Sequence, residues 1–224
     1  MIWRQFSLAG IGGTGMEKYL YFGSLGLHER QYQVPNFVGL ALHPAHDREM
    51  AHDATAALPF ADASIAKIQA QDVLEHLPLD KVPFVLDEIY RVLRPGGIFR
   101  LSVPDYRSPV MKRRSIYDAR GRVTGDLLMG ATPYFDETTG DARVRFSEDG
   151  HAHIWFPRYE LITHLILKSQ IRKSAEIKFY QCFLDDYTYL CEPVPENEMF
   201  VQRAAPHDMR AGGAPVSIVA DFIK

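Results

Sequence analysis

Apolar residues in this chain come in short continuous runs, separated by polar stretches that carry Gly and Pro. The runs at 18–22 (KYLYF), 65–70 and 98–103 are mostly apolar, and that at 37–42 (FVGLAL) is continuous rather than alternating. That is the pattern of strands covered on both faces, as in a parallel sheet. Gly23-Ser24-Leu25-Gly26 breaks the first run, and Pro44 and Pro104 close the second and fourth. Between the third and fourth, Val82, Val85, Leu86, Ile89 and Leu93 recur at helical spacing, with Lys81, Asp87, Glu88 and Arg91 on the outer face. This predicts a helix over 80–93, with Asp80 as N-cap, Pro83 in the first turn and Pro95-Gly96-Gly97 as the stop. A second amphipathic helix is expected over 159–167, and closing strands over 176–180 and 216–223.

Strands alternating with helices argue for an α/β fold with a doubly wound, mostly parallel sheet and helices on both faces. Residues 1–15 read as a flexible leader, and 16–224 as one domain. Between 106 and 150 the periodicity weakens and glycines punctuate the chain, a length too great for a plain connection. An insertion or lid is expected there.

Composition narrows the function classes. In 224 residues, 46% hydrophobic and 12% aromatic content supports an ordinary packed core. A net charge of −3 supplies no basic field for nucleic acid. No run reaches the ~18–20 apolar residues of a membrane span. Cys182 and Cys191 lack metal-ligand spacing and read as free thiols of a reducing compartment. The expectation is a cytoplasmic protein; a protein partner or a homodimer is left open.

The segment LPFADASIAKIQAQDVLEHLPLDKVPFVLDEIYRVLRPGGIFRLSVPD, residues 58–105, carries the most information. Its Leu-Pro-Phe, Leu-Glu-His-Leu and Arg-Val-Leu-Arg-Pro-Gly-Gly segments resemble the second half of a class I S-adenosylmethionine-dependent methyltransferase of the small-molecule type. The resemblance covers roughly residues 18–183 together with the last strand. It implies seven strands with an antiparallel C-terminal edge, S-adenosylmethionine as cofactor, and methyl transfer to a small-molecule or sugar acceptor. The alternative is an inactive relative serving as a binding or partner subunit. A short oxidoreductase on a similar sheet is opposed by those motifs and by the lack of a Tyr-x-x-x-Lys pair.

The resemblance also implies which residues meet the cofactor. Gly23, Ser24 and Gly26 occupy the glycine turn, where Leu25 replaces a glycine. Ala41, before Leu42, stands where the family has a ribose-binding acid. Losing such a contact costs roughly 1.5–3 kcal/mol per charge-assisted bond. Asp53 and Ala54 match the adenine-reading position, and Ala70 and Gln71 the end of the fourth strand. A competing cofactor loop is Gly10-Ile11-Gly12-Gly13-Thr14-Gly15. In the family the Leu74-Glu75-His76-Leu77 turn shapes the cleft wall. Candidate catalytic residues are Asp105, which follows a strand end, and His151 and His153, which share a face if extended. With Asp149 these histidines make an incomplete ligand set, so no metal is expected.

Overall fold

A computed structural model describes residues 17–224, so the 1–15 leader and the Gly10–Gly15 hexamer lie outside the described residues. The central sheet uses β1 (Tyr19–Phe22), β2 (Phe37–Ala41), β3 (Glu49–Ala51), β4 (Ile65–Gln71) and β5 (Leu93–Pro104). Helix α1 (Val82–Val92) connects β4 to β5. Beyond β5 come α2 (Pro109–Lys112) and two hairpins, β6 (Ser115–Tyr117) with β7 (Val123–Asp126), and β8 (Ala131–Phe135) with β9 (Ala142–Phe146). The chain finishes with α3 (Tyr159–Leu167), β10 (Glu176–Phe183), β11 (Tyr189–Cys191) and β12 (Ser217–Ile223).

The sheet runs β11-β10-β12-β5-β4-β1-β2-β3. Strands β1 to β5 pair in parallel, while β12 joins β5, and β10 joins β12, antiparallel. The mostly parallel sheet with an antiparallel edge therefore stands as expected. It has eight strands rather than seven, the extra one being the three-residue edge strand β11.

One face matches the doubly wound expectation. Leu20, Phe22, Ile68, Ala70, Phe99, Leu101, Val103, Ile218, Ala220 and Phe222 pack there beneath Val85, Leu86 and Ile89 of α1 and Ile162, Leu165 and Ile166 of α3. Helix α1 starts at Val82, one residue later than an Asp80 N-cap would give. Lys81 is its N-cap because its carbonyl accepts the Val85 N–H, and Asp80 lies in the preceding turn. The Pro95-Gly96-Gly97 stop becomes a bulge in β5, where Ile65 pairs with Leu93 but Lys67 with Ile98. Gly96 has φ +70°, and a Cβ on Gly97 would lie 2.9 Å from the Arg94 carbonyl oxygen. Only glycine fits both positions without a shift.

The other face differs from expectation: no α-helix covers it among the described residues. Tyr19, Tyr21, Phe37 and Ala66 meet Leu25 and Met199, while Tyr180 and Val219 meet Val201 and Ala204. The cover is the irregular stretch 193–216 together with a 3₁₀ turn at Arg30–Gln33. Irregular backbone buried on a sheet must find hydrogen bonds elsewhere. Arg100, fully buried, donates to the carbonyls of Pro195 and Met199, and its Nε and Nη2 reach Asp221 at 2.7 and 2.6 Å. Gln69 donates to the Phe200 carbonyl at 2.8 Å. Gln181 exchanges two bonds with Ala205, at 2.8 and 3.0 Å.

Arg100→Leu leaves the Asp221 carboxylate buried without its partner, so it should destabilise the fold by about 3–5 kcal/mol. Equilibrium urea denaturation is the measurement, and Arg100→Leu/Asp221→Leu should lose less than the single variant.

Candidate active site

In an open α/β sheet, ligands bind beyond the carboxyl ends of the strands where the winding direction reverses. Here the chain winds outward from β1 through β2 to β3, then returns to β4 on the other side of β1. The reversal lies between β1 and β4, flanked by Gly23 and by Gln71. Gly23 has φ +92°, and a Cβ there would sit 3.2 Å from Val73 Cγ2. The turn is thus pressed against the segment leaving β4, which only glycine permits readily.

The next residues of the turn are held by Glu49, buried at the start of β3. The Ser24 hydroxyl and the Leu25 N–H donate to its Oε1 at 2.6 and 2.7 Å, and the Ala45 N–H to its Oε2 at 2.7 Å. Burial pushes the Glu49 carboxyl up, but these bonds, with His46 beside it, outweigh that and hold it below the usual carboxylate value. Leu25 itself is fully buried among Tyr19, Tyr21 and Phe37. It fills the space beside β1 as an apolar plug, which a glycine could not do. Gly26 follows with its Cβ direction against the His28 ring.

Ala41 is buried at the end of β2, where its carbonyl accepts the His52 N–H, and Leu42 is exposed. Asp53 is exposed; its Oδ1 accepts the Thr55 N–H at 2.8 Å and the Thr55 hydroxyl at 2.7 Å, bonds that hold its pKa below the ordinary value. Ala54 packs against the main core. Ala70 is buried, and the Gln71 side chain accepts the Gln202 N–H at 3.3 Å. A cavity of about 240 Å³ opens beside it, lined by His28, Glu29, Arg30, Gln31, Gln71, Phe200 and Gln202. This is below the ~300–1,000 Å³ usual for ligand pockets.

The three candidate catalytic residues are not brought together. Asp105 is buried, with Oδ1 taken by the Arg107 N–H at 2.9 Å and Oδ2 by the Phe183 N–H at 2.7 Å. Burial raises its pKa to about 6 against the lowering effect of these bonds. Its geometry is that of a clamp between the ends of β5 and β10. His151 is exposed, its N–H donating to Asp149. His153 is buried two residues on, inside a polar cluster that the sequence does not reveal.

In that cluster the Tyr106 hydroxyl lies 2.5 Å from Asp126 Oδ2 and 2.6 Å from His153 Nδ1. Arg114 Nε donates to the same Asp126 oxygen at 2.6 Å. A carboxylate only accepts, so the Tyr106 proton goes to Asp126 and His153 Nδ1–H donates to the Tyr106 oxygen. Burial, with His76 and Arg114 nearby, pushes the His153 pKa down to about 3, so the ring is neutral. The segment 152–155 clasps the 3₁₀ turn Leu74–His76. Trp155 Nε1 donates to the Leu74 and Leu77 carbonyls, Ile154 N–H to the Glu75 carbonyl, and His76 Nδ1 bonds the Ala152 carbonyl at 3.0 Å. Glu75 is fully buried, and burial with the nearby Asp72 holds its pKa well above the usual value. Asp72, at φ +53°, faces Arg203 at 3.2 Å from a segment of the irregular cover. Sequence reading missed Glu49, Asp72, Asp126 and Arg203, which sit at strand ends or in irregular segments.

Residues 33–101 match the family described as a methyltransferase domain, under a third of the chain. A probable S-adenosylmethionine-dependent methyltransferase of Mycolicibacterium smegmatis is 44% identical over 57 residues, 25% of this chain and 21% of that protein. The match thus spans about a fifth of the relative's length. Two solved structures align with most of the chain at low identity. An S-adenosylmethionine-dependent methyltransferase of Mesorhizobium loti has a TM-score of 0.47 at 16% identity, with 92% of this chain and 90% of that one covered. One from Archaeoglobus fulgidus has a TM-score of 0.48 at 12% identity, with 94% and 87% covered. The chain resembles the class I S-adenosylmethionine-dependent methyltransferases, as its motifs implied.

Leu25→Gly, which restores the glycine of the resembled family, should cost at least the ~2–5 kcal/mol of a buried leucine truncation, read by thermal or urea denaturation. Glu49 makes a second test. A depressed folded pKa gives stability that is present above the ordinary value of 4.5 and lost as pH falls through the folded value. The stability gap between the parent and Glu49→Gln should therefore be widest above about pH 4.5 and narrow below it in a urea titration series.

Proposed function

We propose that this chain, with its methyltransferase-domain match on residues 33–101 as premise, binds S-adenosylmethionine at the β1–β4 reversal and transfers its methyl group to a small-molecule or sugar-type acceptor. The observation that carries the reading is that the matched stretch runs from just before β2 into β5, so it includes β4, one of the two strands at the reversal point. The residues fit the cofactor in part. Gly23 holds the turn after β1 tight against Val73 at the reversal, Gln71 at the end of β4 borders the small cavity, and Asp53 keeps one carboxylate oxygen without a hydrogen-bond partner among the described residues. Against these stand Ala41, which offers no acid to the ribose, and Glu49, whose oxygens are engaged by the turn itself.

The cofactor supplies an electrophilic methyl group, so the chain's tasks are to hold acceptor and cofactor in line and to exclude water. Asp105 is engaged by backbone, and His153 is too weakly basic to take a proton near neutrality. This favours an acceptor whose attacking atom is already nucleophilic at working pH.

Isothermal titration with S-adenosylmethionine, and separately with S-adenosylhomocysteine, tests the cofactor reading. Micromolar binding is expected. Asp53→Ala should weaken it, and Ala41→Asp should tighten it by about tenfold or more, the equivalent of one added charge-assisted hydrogen bond. No binding at millimolar ligand would sink the reading.

A further inference from the structure

We propose that Glu75, His76 and His153 form a binding site for a divalent transition-metal ion, with zinc the best match to the donor set. One ligand atom from each lies within 4.8 Å of the others. Glu75 and His153 come from distant parts of the chain and are both fully buried. Among the described residues, neither carboxylate oxygen of Glu75 has a partner from another residue, and Nε2 of His153 has none. Buried polar atoms of this kind are rarely left unpaired.

The tautomers make the need for a cation specific. His153 Nδ1 carries its proton towards Tyr106, whose own proton goes to Asp126, so Nε2 presents a lone pair. His76 Nδ1 bonds the Ala152 carbonyl, which can only accept, so its Nε2 is also a lone pair. Two imidazole lone pairs therefore face a buried carboxyl group that has no partner from another residue. Oε1 of Glu75 lies 3.7 Å from Nε2 of His153, beyond hydrogen-bond range. It is close to the roughly 3.4 Å that separates two ligands of a tetrahedral ion with bonds of ~2.0–2.2 Å.

The surroundings are those of a metal site. Ligating histidines donate their second ring N–H to a carbonyl or into a carboxylate network, which fixes their orientation. His76 does the first, and His153 the second through Tyr106 and Asp126. Two histidines and one carboxylate leave room for a fourth ligand, and borderline metals accept this set. His76 is only half-buried and provides the side from which the ion enters. The ion would tie the turn after β4 to the segment before α3, at the same sheet end as the proposed cofactor crevice. The assignment does not depend on cofactor binding.

The test uses the full chain, stripped with a chelator and titrated with zinc alone, without cofactor or acceptor. About one ion per chain is expected, together with a rise in melting temperature that depends on zinc concentration. Cobalt in its place should give visible bands of four- or five-coordinate geometry that zinc abolishes. Glu75→Gln keeps the shape of the side chain and can donate to His153, so it should fold and yet lose the stoichiometric ion. Tyr106→Phe should weaken zinc by about 10–100-fold, the usual cost of losing an outer partner. His151→Ala, on the exposed neighbour, should bind as the parent does. A folded parent that takes up no zinc at micromolar concentration would overturn the proposal. So would equal uptake by the parent and Glu75→Gln.

Discussion

The fold depends on a guanidinium that replaces the hydrogen bonds of a missing helix. A helix laid on a sheet brings its own backbone bonds, whereas an irregular strap does not. Residues 193–216 can lie buried only because the sheet face beneath them is armed with polar side chains. Arg100 supplies the largest part, with Asp221 neutralising it, and Gln69 and Gln181 hold the next carbonyls along the strap. A buried ion pair seldom adds stability over an apolar substitute, but one that serves several otherwise unpaired carbonyls has a different balance. Here it allows a fold of this class to keep its sheet with a much reduced second layer.

That reduction shapes the site. Only residues 23–36 connect β1 to β2, with one 3₁₀ turn between them. Among the described residues no α-helix starts at the Gly23 turn, so no helix dipole there favours the negative end of a ligand. Leu25 closes the gap next to β1, and Glu49 binds the N–H that the turn would otherwise offer. Leu25 and Glu49 thus belong to one compact arrangement of the turn after β1 against β3.

The strands and helices were legible because burial on both faces writes itself as continuous apolar runs, and burial on one face as helical spacing. The run at 159–167 gives α3 to the residue, and the 80–93 pattern gives α1 to within two residues at its start. The strap was not legible. Its bonds come from Arg100, Gln69 and Gln181, single polar positions in strands that otherwise read as apolar, and no local periodicity announces what lies over them. The two hairpins after β5 escaped because their strands are only three to five residues long and, Gly125, Asp126 and Ala131 apart, lie exposed or half-buried. In the site, the position of Gly23 was legible from the chain break after β1. The Tyr106–Asp126–His153 cluster was not, because its members are 20 and 47 residues apart and converge only through the tertiary fold.

The care with which this chain satisfies buried polar groups gives the exceptions their weight. Asp105 has a partner for each oxygen, and the Arg100 guanidinium bonds a carboxylate and several carbonyls. Several of the unpaired atoms are hydroxyls, such as those of Ser102, Ser108 and Ser217, which can rotate to suit a neighbour. A carboxyl group with both oxygens unpaired beside an unpaired imidazole nitrogen is a different matter, since the two sit together and both are fully buried. Apolar side chains of the same volume would fill that space at no such cost. The pair's place between the turn after β4 and the segment before α3, surrounded by groups that fix both rings, makes sense if a positive charge completes it.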